Sequence, residues 1–474
     1  MERFVGVDVG TSGTKVVAID REGRPLARAK APHSSSHPRP GFSEQDPEDW
    51  VRSATRALGE IGPEPWSGLA FTGQMHGLVL LDGRGRVLRP AILWNDGRSA
   101  AERGQIEASV GRARLLDLVA NLPIPGFTAS SLLWVREHEP EVWKKARQLM
   151  LPKDYVRWRI GGGDPVTDVS DASGTLLFDV RRRRWSEEVV ARLELNPSWL
   201  PGVVESTATV SNSGDRTPVA AGAGDQVAAA LGVGLVAGGP IGISLGTSGV
   251  LAQLRAEPPS ECDGKLQQLC AYSPDTWQTM GVTLAAGGSL AWWQSCCGGV
   301  DTYALLAEAS GWTAGCDGLT FQPYLSGERA PHNDETLRGS FTGLAAHHNR
   351  GALTRAVVEG IACSLADVLD LIGPQSASTS ARISGGLAES PLVREIIASV
   401  TGMSLELMTI ADSTAYGAAL IAGVAAGAFA DCDEAAALCK PVGATDPVEA
   451  DRDAYAEVLG RYRGLHERLS PLVE

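Results

Sequence analysis

Two stretches of the chain carry residue types suited to phosphate. Gly6-Val-Asp8-Val-Gly-Thr11-Ser12-Gly13 recurs as Gly242-Ile-Ser244-Leu-Gly246-Thr247-Ser248-Gly249, 236 residues later. Each GTSG offers closely spaced backbone N–H groups, small side chains that let an anion approach, and hydroxyls that can donate, at Thr11, Ser12, Thr247 and Ser248. Either copy taken alone is equally readable as a bare hairpin turn. The copies differ at Asp8, whose counterpart is Ser244. A carboxylate two residues before a phosphate turn can hold a hydrated magnesium ion. The plain alternative is a strand-end Asp bonded to its turn, and the metal role is preferred because the loop is paired.

A third acid, in Ala220-Ala-Gly222-Ala-Gly224-Asp225-Gln226, precedes an apolar stretch at residues 227–231. Asp225 reads either as a helix N-cap or as a general base that takes a hydroxyl proton during phosphoryl transfer. Phe71-Thr-Gly73-Gln74-Met75-His76-Gly77 places polar side chains and a Met between glycines, which suits a small polar molecule. Trp94-Asn95-Asp96-Gly-Arg98 offers a stacking face with donors and acceptors for a polyol, or simply a turn that caps the next helix. Ser384-Gly385-Gly386-Leu387-Ala-Glu-Ser390 could line an adenosine or merely join a strand to a helix begun by Pro391. No GxxxxGK[ST] loop exists, and Gly222-Ala-Gly224 lacks the third glycine of a dinucleotide fingerprint, with Asp225 where pyrophosphate would sit.

These residues need elements to hold them. An apolar run enters each GTSG and another follows, which predicts strand, turn, strand twice. In the first copy a further turn at residues 21–24 leads into a third strand from Pro25. Helical periodicity is expected at 47–58, 98–119, 353–372 and 391–400. Strands are expected at 68–72, 78–81 and 382–384. A repeat placed near mid-chain predicts two α/β lobes built on one plan, residues 1–234 and 235–474, with a ligand cleft between them. The boundary is set in the glycine-rich residues 232–239.

Composition bounds the answer. With 474 residues, 43% hydrophobic and 21% charged, the chain can fold into large cores. The 55 glycines follow no collagen period, so the surplus points to turns and close approaches. A formal charge of −14 argues against nucleic acid. The basic run 181–184 reads as a solvated hairpin edge. All eight cysteines lie at or beyond Cys262, with no CxxC pair, which predicts neither disulfides nor zinc; Cys296 and Cys297 read as core thiols. Reduced thiols and the absence of a signal-peptide layout predict a cytoplasmic protein. The apolar stretch 415–430 is too short for a membrane span and reads as a buried helix.

The set GVDVGTSGTK, GQMHG, RPAILWNDGRS, LPKDY, AGAGDQ, SLGTSGV and PYLSGERAPHN, in this order, resembles the FGGY carbohydrate kinases over about residues 4–427. The pattern is most similar to members that phosphorylate D-xylulose. The resemblance implies two actin-like ATPase lobes of ribonuclease H-like topology, with sugar in the first lobe and ATP in the cleft, and transfer of the γ-phosphoryl group to O5 of D-xylulose. It places Asp225 and Asp8 in catalysis, and substrate contacts at Met75, His76, Trp94, Asn95, Asp96, Asp225 and Gln226. Nucleotide contacts fall on Thr11, Ser12, Thr14, Lys15, Gly246, Thr247, Ser248, Gly385, Gly386 and Leu387, and Mg²⁺ on Asp8 and Asp225. The partners implied are the sugar and ATP, with no nucleic acid or membrane and a homodimer left open. Three positions depart from the family pattern: Gln226 stands for Asn, Leu387 for Gly, and Ser131 for Lys. The rival readings are a kinase for ribulose, L-xylulose or glycerol, and a non-catalytic actin-like ATPase switch.

Overall fold

The computed structural model describes residues 2–62, 65–213, 217–373 and 379–469. The chain divides into two compact units and carries two seven-stranded mixed sheets among the described residues. The first comprises Met1–Val236, Leu254–Gln278 and Ile410–Lys440; the second comprises Ala237–Gln253, Thr279–Thr409 and Pro441–Glu474. A cut at 234/235 assigns residues 410–440 to the second lobe, whereas they pack with the first.

In the first unit the central strand is Phe4–Val9, a valine-rich run buried along its whole length. It pairs antiparallel with Gly13–Ile19 and parallel with Gly68–Gly73. Both neighbours match expectation, as does the third strand, Pro25–Pro32. Side chains alternate across a strand. Val5, Val7 and Val9 therefore share a face, and they pack with Trp50, Ala54, Ala57 and Leu58 of the helix Pro47–Glu60. That helix starts where Asp46 accepts the Glu48 N–H and Pro47 supplies a preset φ.

Phe4, Gly6 and Asp8 face the other way, toward the helix Ser413–Ala425. There the backbones nearly touch. A Cβ on Gly6 would lie 2.0 Å from the Ala415 carbonyl, and one on Gly417 would lie 1.9 Å from the Ala228 carbonyl of the helix Asp225–Gly232. Only glycine permits such packing. Of the apolar stretch at 415–430, residues up to Ala425 form a helix that is buried through Gly423, and among the described residues no helix is long and apolar enough to cross a membrane.

The second unit repeats the plan. Ile241–Leu245 pairs antiparallel with Gly249–Arg255 and parallel with Ser380–Ser384, which is followed by Ser404–Leu407 and Gly443–Thr445. The helices Arg350–Ile372 and Pro391–Thr401 fall where periodicity placed them. The helix expected over 98–119 is two, Ala100–Val110 and Arg112–Val119, because Gly111 between them sits at φ 90°.

Two surface expectations change. The basic run does form a hairpin, between Phe178–Asp179 and Arg184–Trp185, but it is not simply solvated. Arg181 donates to the Pro259, Leu116 and Asp117 carbonyls, and Arg183 pairs with Glu205 and donates to the Thr276 carbonyl. Arg181 and Arg183 lie in the turn between the two strands, Arg183 at φ 54°, and the turn aims both toward carbonyls that need donors. Cys296 is exposed and Cys297 half-exposed at the end of the helix Gly287–Cys296, so this pair is not core. None of the eight cysteines, all of them described, forms a disulfide.

Candidate active site

In the first unit the GTSG hairpin joins Val9 to Thr14. The Gly10 N–H donates to the Gly13 carbonyl at 3.2 Å and closes the turn. Its other carbonyls are taken up by the protein. His33 Nε2 donates to Gly10 O at 2.9 Å, Gln45 Nε2 to Thr11 O at 2.6 Å, and the His33 N–H to Ser12 O at 3.4 Å. Capping the carbonyls removes their negative ends from the loop surface and leaves it suited to an anion. Ser12 is exposed, Thr11 partly so.

Thr11 is also the point where several expected residues meet. Its hydroxyl donates to Gln74 Oε1 at 3.3 Å and accepts from Trp94 Nε1 at 3.2 Å. Gln74 Nε2 donates to Gln45 Oε1 at 2.8 Å, which also accepts from Trp50 Nε1. Gln45 and Gln74, which support Thr11, lie outside the expected contact set. Gln74 lies inside the GQMHG motif, and the signal was its amide beside two candidate contacts. Gln45 gave no local signal.

Thr14 stands apart from the expected nucleotide set. It is fully buried and its hydroxyl pairs with Ser53 Oγ at 2.7 Å, so it fastens the hairpin to the first helix. Asp96 is likewise turned inward. It accepts both guanidinium arms of Arg98 and the Ser43 N–H, which holds the exposed Trp94-Asn95 turn in place.

Met75 and His76 are buried side by side. The Met75 thioether lies over Gly224, where a Cβ would sit 2.7 Å from Sδ. His76 stacks on Phe127 with centroids 3.5 Å apart, and Thr128 Oγ1 donates to its carbonyl. The ring's Nδ1 is 2.8 Å from the Gly174 carbonyl. A carbonyl only accepts, so Nδ1 carries the proton and Nε2 is the acceptor of the neutral ring. Ser131, the departure from Lys, is fully buried on the helix Thr128–His138, and no hydrogen bond reaches its hydroxyl.

Asp225 opens the helix Asp225–Gly232 as its first residue, with Gly224 in the capping position. It is therefore not the N-cap. Its carboxylate is half-buried, and Gln226 Nε2 donates to it at 3.2 Å. The long amide of Gln226 thus turns back onto its neighbour. Burial pushes the Asp225 carboxyl up to about 6, with the bonds from Gln226 opposing. Asp8 is pushed up to about 7, first by burial and then by the charge of Asp225, while Lys15 opposes and Asp412 adds to the rise. Lys15 pairs with Asp412 at 3.0 Å. The charge of Asp225 disfavours a second ionised carboxylate at Asp8, a repulsion that a cation would relieve. Two acids with the remaining positions left to phosphate and water form the donor set magnesium uses, so Asp8 and Asp225 fit that ion.

In the second unit the turn at 246–248 links Leu245 to Gly249. Its carbonyls are capped as in the first unit: Gly287 N–H donates to Gly246 O and Gly288 N–H to Thr247 O, both at 2.9 Å. Gly246 and Thr247 are exposed, Ser248 partly so. Gly385, at φ 99°, abuts the end of the same strand, where a Cβ would lie 2.3 Å from the Leu245 carbonyl. Gly386 is exposed and Leu387 half-buried in the short turn Gly386–Glu389.

Comparison with known sequences decides the family. Residues 3–232 match the N-terminal domain of the FGGY family of carbohydrate kinases, and residues 241–426 match its C-terminal domain. The chain belongs to the FGGY family of carbohydrate kinases. It is 37% identical to a xylulose kinase from Escherichia coli (strain K12), covering 99% of this chain and 100% of that one. It is 34% identical to a xylulose kinase from Bacillus subtilis (strain 168), covering 100% and 98%. A solved xyloylose kinase from Brucella ovis superposes with a TM-score of 0.92 at 36% identity, covering 99% of this chain and 100% of that one. As an FGGY kinase the chain is an ATP-dependent sugar kinase, with the two-domain actin-like α/β fold of that family.

Proposed function

We propose that this FGGY kinase transfers the γ-phosphoryl group of ATP to O5 of D-xylulose, with Asp225 as general base. The observation that carries the reading is the Asp225 loop: a half-buried carboxylate with a raised proton affinity, next to Met75 and within the unit that holds His76. A base that titrates about one unit below neutrality is ionised at pH 7 yet retains some basicity. The near-complete coverage by xylulose kinases supports the choice of sugar.

Asp225 accepts the O5 proton as that oxygen attacks the γ-phosphorus, and ADP departs. His76 accepts a sugar hydroxyl through Nε2, Met75 packs against the carbon skeleton, and Trp94 and Asn95 present the exposed polar turn. The turns at 10–13 and 246–248 give N–H groups to the phosphates. Gly385, Gly386 and Leu387 flank the adenosine. Asp8 and Asp225 hold Mg²⁺, which neutralises charge on the phosphates when bound. The test is Asp225→Ala assayed for ADP release with D-xylulose, D-ribulose, L-xylulose, glycerol and no sugar. We expect a loss of ~10²–10⁴-fold and wild-type preference for D-xylulose. Near-normal sugar-dependent release by the variant refutes the base assignment. Preference for another acceptor, or strong release without one, refutes the substrate.

A further inference from the structure

LPKDY is a motif that the mechanism above does not use, and it lies at the centre of a fully buried polar cluster. Lys153 is completely enclosed and reaches three carboxylates: Asp154 at 2.5 Å, Asp168 at 2.9 Å and Asp171 at 3.5 Å. Burying these ions is costly, and such clusters contribute little net stability compared with apolar packing. Their geometry indicates another use.

Asp168 Oδ2 collects two hydroxyls, Ser170 Oγ at 2.5 Å and Ser206 Oγ at 2.7 Å. Each of those serines holds one side of the loop that carries Asp225. Ser170 Oγ accepts the Gly224 N–H at 2.9 Å, and the Ser206 carbonyl accepts the Gly222 N–H at 3.0 Å. Between those bonds, Ala223 and Gly224 ladder onto Thr72 and Gly73. The two residue steps that lead into Asp225, through the Gly222 and Gly224 N–H groups, are therefore gripped from one buried hub. The Ser170 hydroxyl is oriented by it: the proton is committed to Asp168, so the oxygen is left to accept from Gly224.

We infer that Lys153, Asp168 and Ser170 are positioning residues for the general base, acting through the Gly224 N–H. The inference rests on Asp225 being that base. Lys153 fixes Asp168, Asp168 fixes the Ser170 hydroxyl, and Ser170 sets the peptide that aims the Asp225 carboxylate. A displaced reacting group can cost on the order of 10²-fold in rate, so the effect belongs in kcat.

The experiment is a double-mutant cycle on the full chain, with Ser170→Ala and Asp225→Ala singly and together. Ser170→Ala removes one oxygen and is the mildest cut in the chain of bonds. Lys153→Met is measured beside it, with melting temperature recorded for every variant. Ser170→Ala is expected to lower kcat by ~10–100-fold with KM for ATP and sugar unchanged and no large loss of melting temperature. In the Asp225→Ala background it should have no further effect. Wild-type kcat for Ser170→Ala beside a crippled Asp225→Ala overturns the positioning role and leaves the base standing. An equal fall in both backgrounds also overturns it, because Ser170 would then act elsewhere. Near-wild-type activity in Asp225→Ala overturns the base itself, and the inference with it.

Discussion

Asp8→Asn should make the protein more stable while removing its activity. Asp8 is 8% exposed, and its carboxyl is raised from 3.8 to about 7, chiefly by burial and then by the charge of Asp225. The folded state therefore holds a proton that the unfolded chain releases near pH 4. Stability falls with rising pH wherever the native state binds more protons. The Asp8 contribution is thus fully present below about pH 4, and it is lost as pH rises toward 7. A rise of about three pH units at ~1.4 kcal/mol each sets a ceiling of ~4 kcal/mol. Relaxation and water entry around a buried charge reduce this, and ~1–2 kcal/mol is expected at pH 8. For a unit of this size that is ~2–5 °C in melting temperature. The assay is thermal denaturation followed by circular dichroism in EDTA, without nucleotide, from pH 5 to 8. Asn keeps the shape and cannot ionise. The gap between variant and wild type should widen as pH rises from 5 and level off above about 7, and magnesium should raise the wild type alone. A variant less stable than wild type at pH 8, or a gap that does not change with pH, refutes the reasoning.

As the proposed base, Asp225 must be ionised to act, so kcat/KM should fall about tenfold per pH unit below pH ~6; a profile flat to pH 5 contradicts this. Phe127→Ala removes the stack under His76, worth ~0.5–1.5 kcal/mol. KM for sugar should rise while KM for ATP stays fixed, and an unchanged sugar KM rejects the role of the stack. Gly417→Ala forces a methyl into the Ala228 carbonyl and should cost ~2–3 kcal/mol or more. Gly460→Ala, on the helix Arg452–Leu469 with open space around it, should instead gain ~0.5–1 kcal/mol. Equal melting temperatures for these two alanine variants would show that backbone proximity does not govern the glycine pattern.

Local signals carried most of the fold. The repeated strand-turn-strand was legible because valine runs and GTSG are contiguous, and helices with a clear period and a proline start fell within a few residues of expectation. What the sequence could not show depended on partners far along the chain. Residues 410–440 join the first unit through glycines whose contacts lie 180 or more positions away. Thr14 and Asp96 sit inside well-matched motifs, yet their bonds to Ser53 and Ser43 turn them into supports. Lys153 sits inside the LPKDY motif, but the motif does not show what it holds, because Asp168, Ser206 and Gly224 lie in separate segments. Spacing shows which residue types are available, and only packing shows which of them face outward.

The placement of Ser413–Ala425 on the first sheet has a consequence for synthesis. At ~5–20 residues per second the ribosome needs ~10–40 s to pass from the end of the Asp225 helix to this one. Through that interval the face of Phe4–Val9 bearing Phe4 and Gly6 has left the ribosome while its covering helix has yet to be made. The nascent first unit is thus an unfinished sheet with an apolar face waiting for a distant piece of its own chain. Stalling or premature termination before residue 413 would leave that face bare and prone to aggregate, so the first unit is completed only once the segment Ser413–Ala425 has been made.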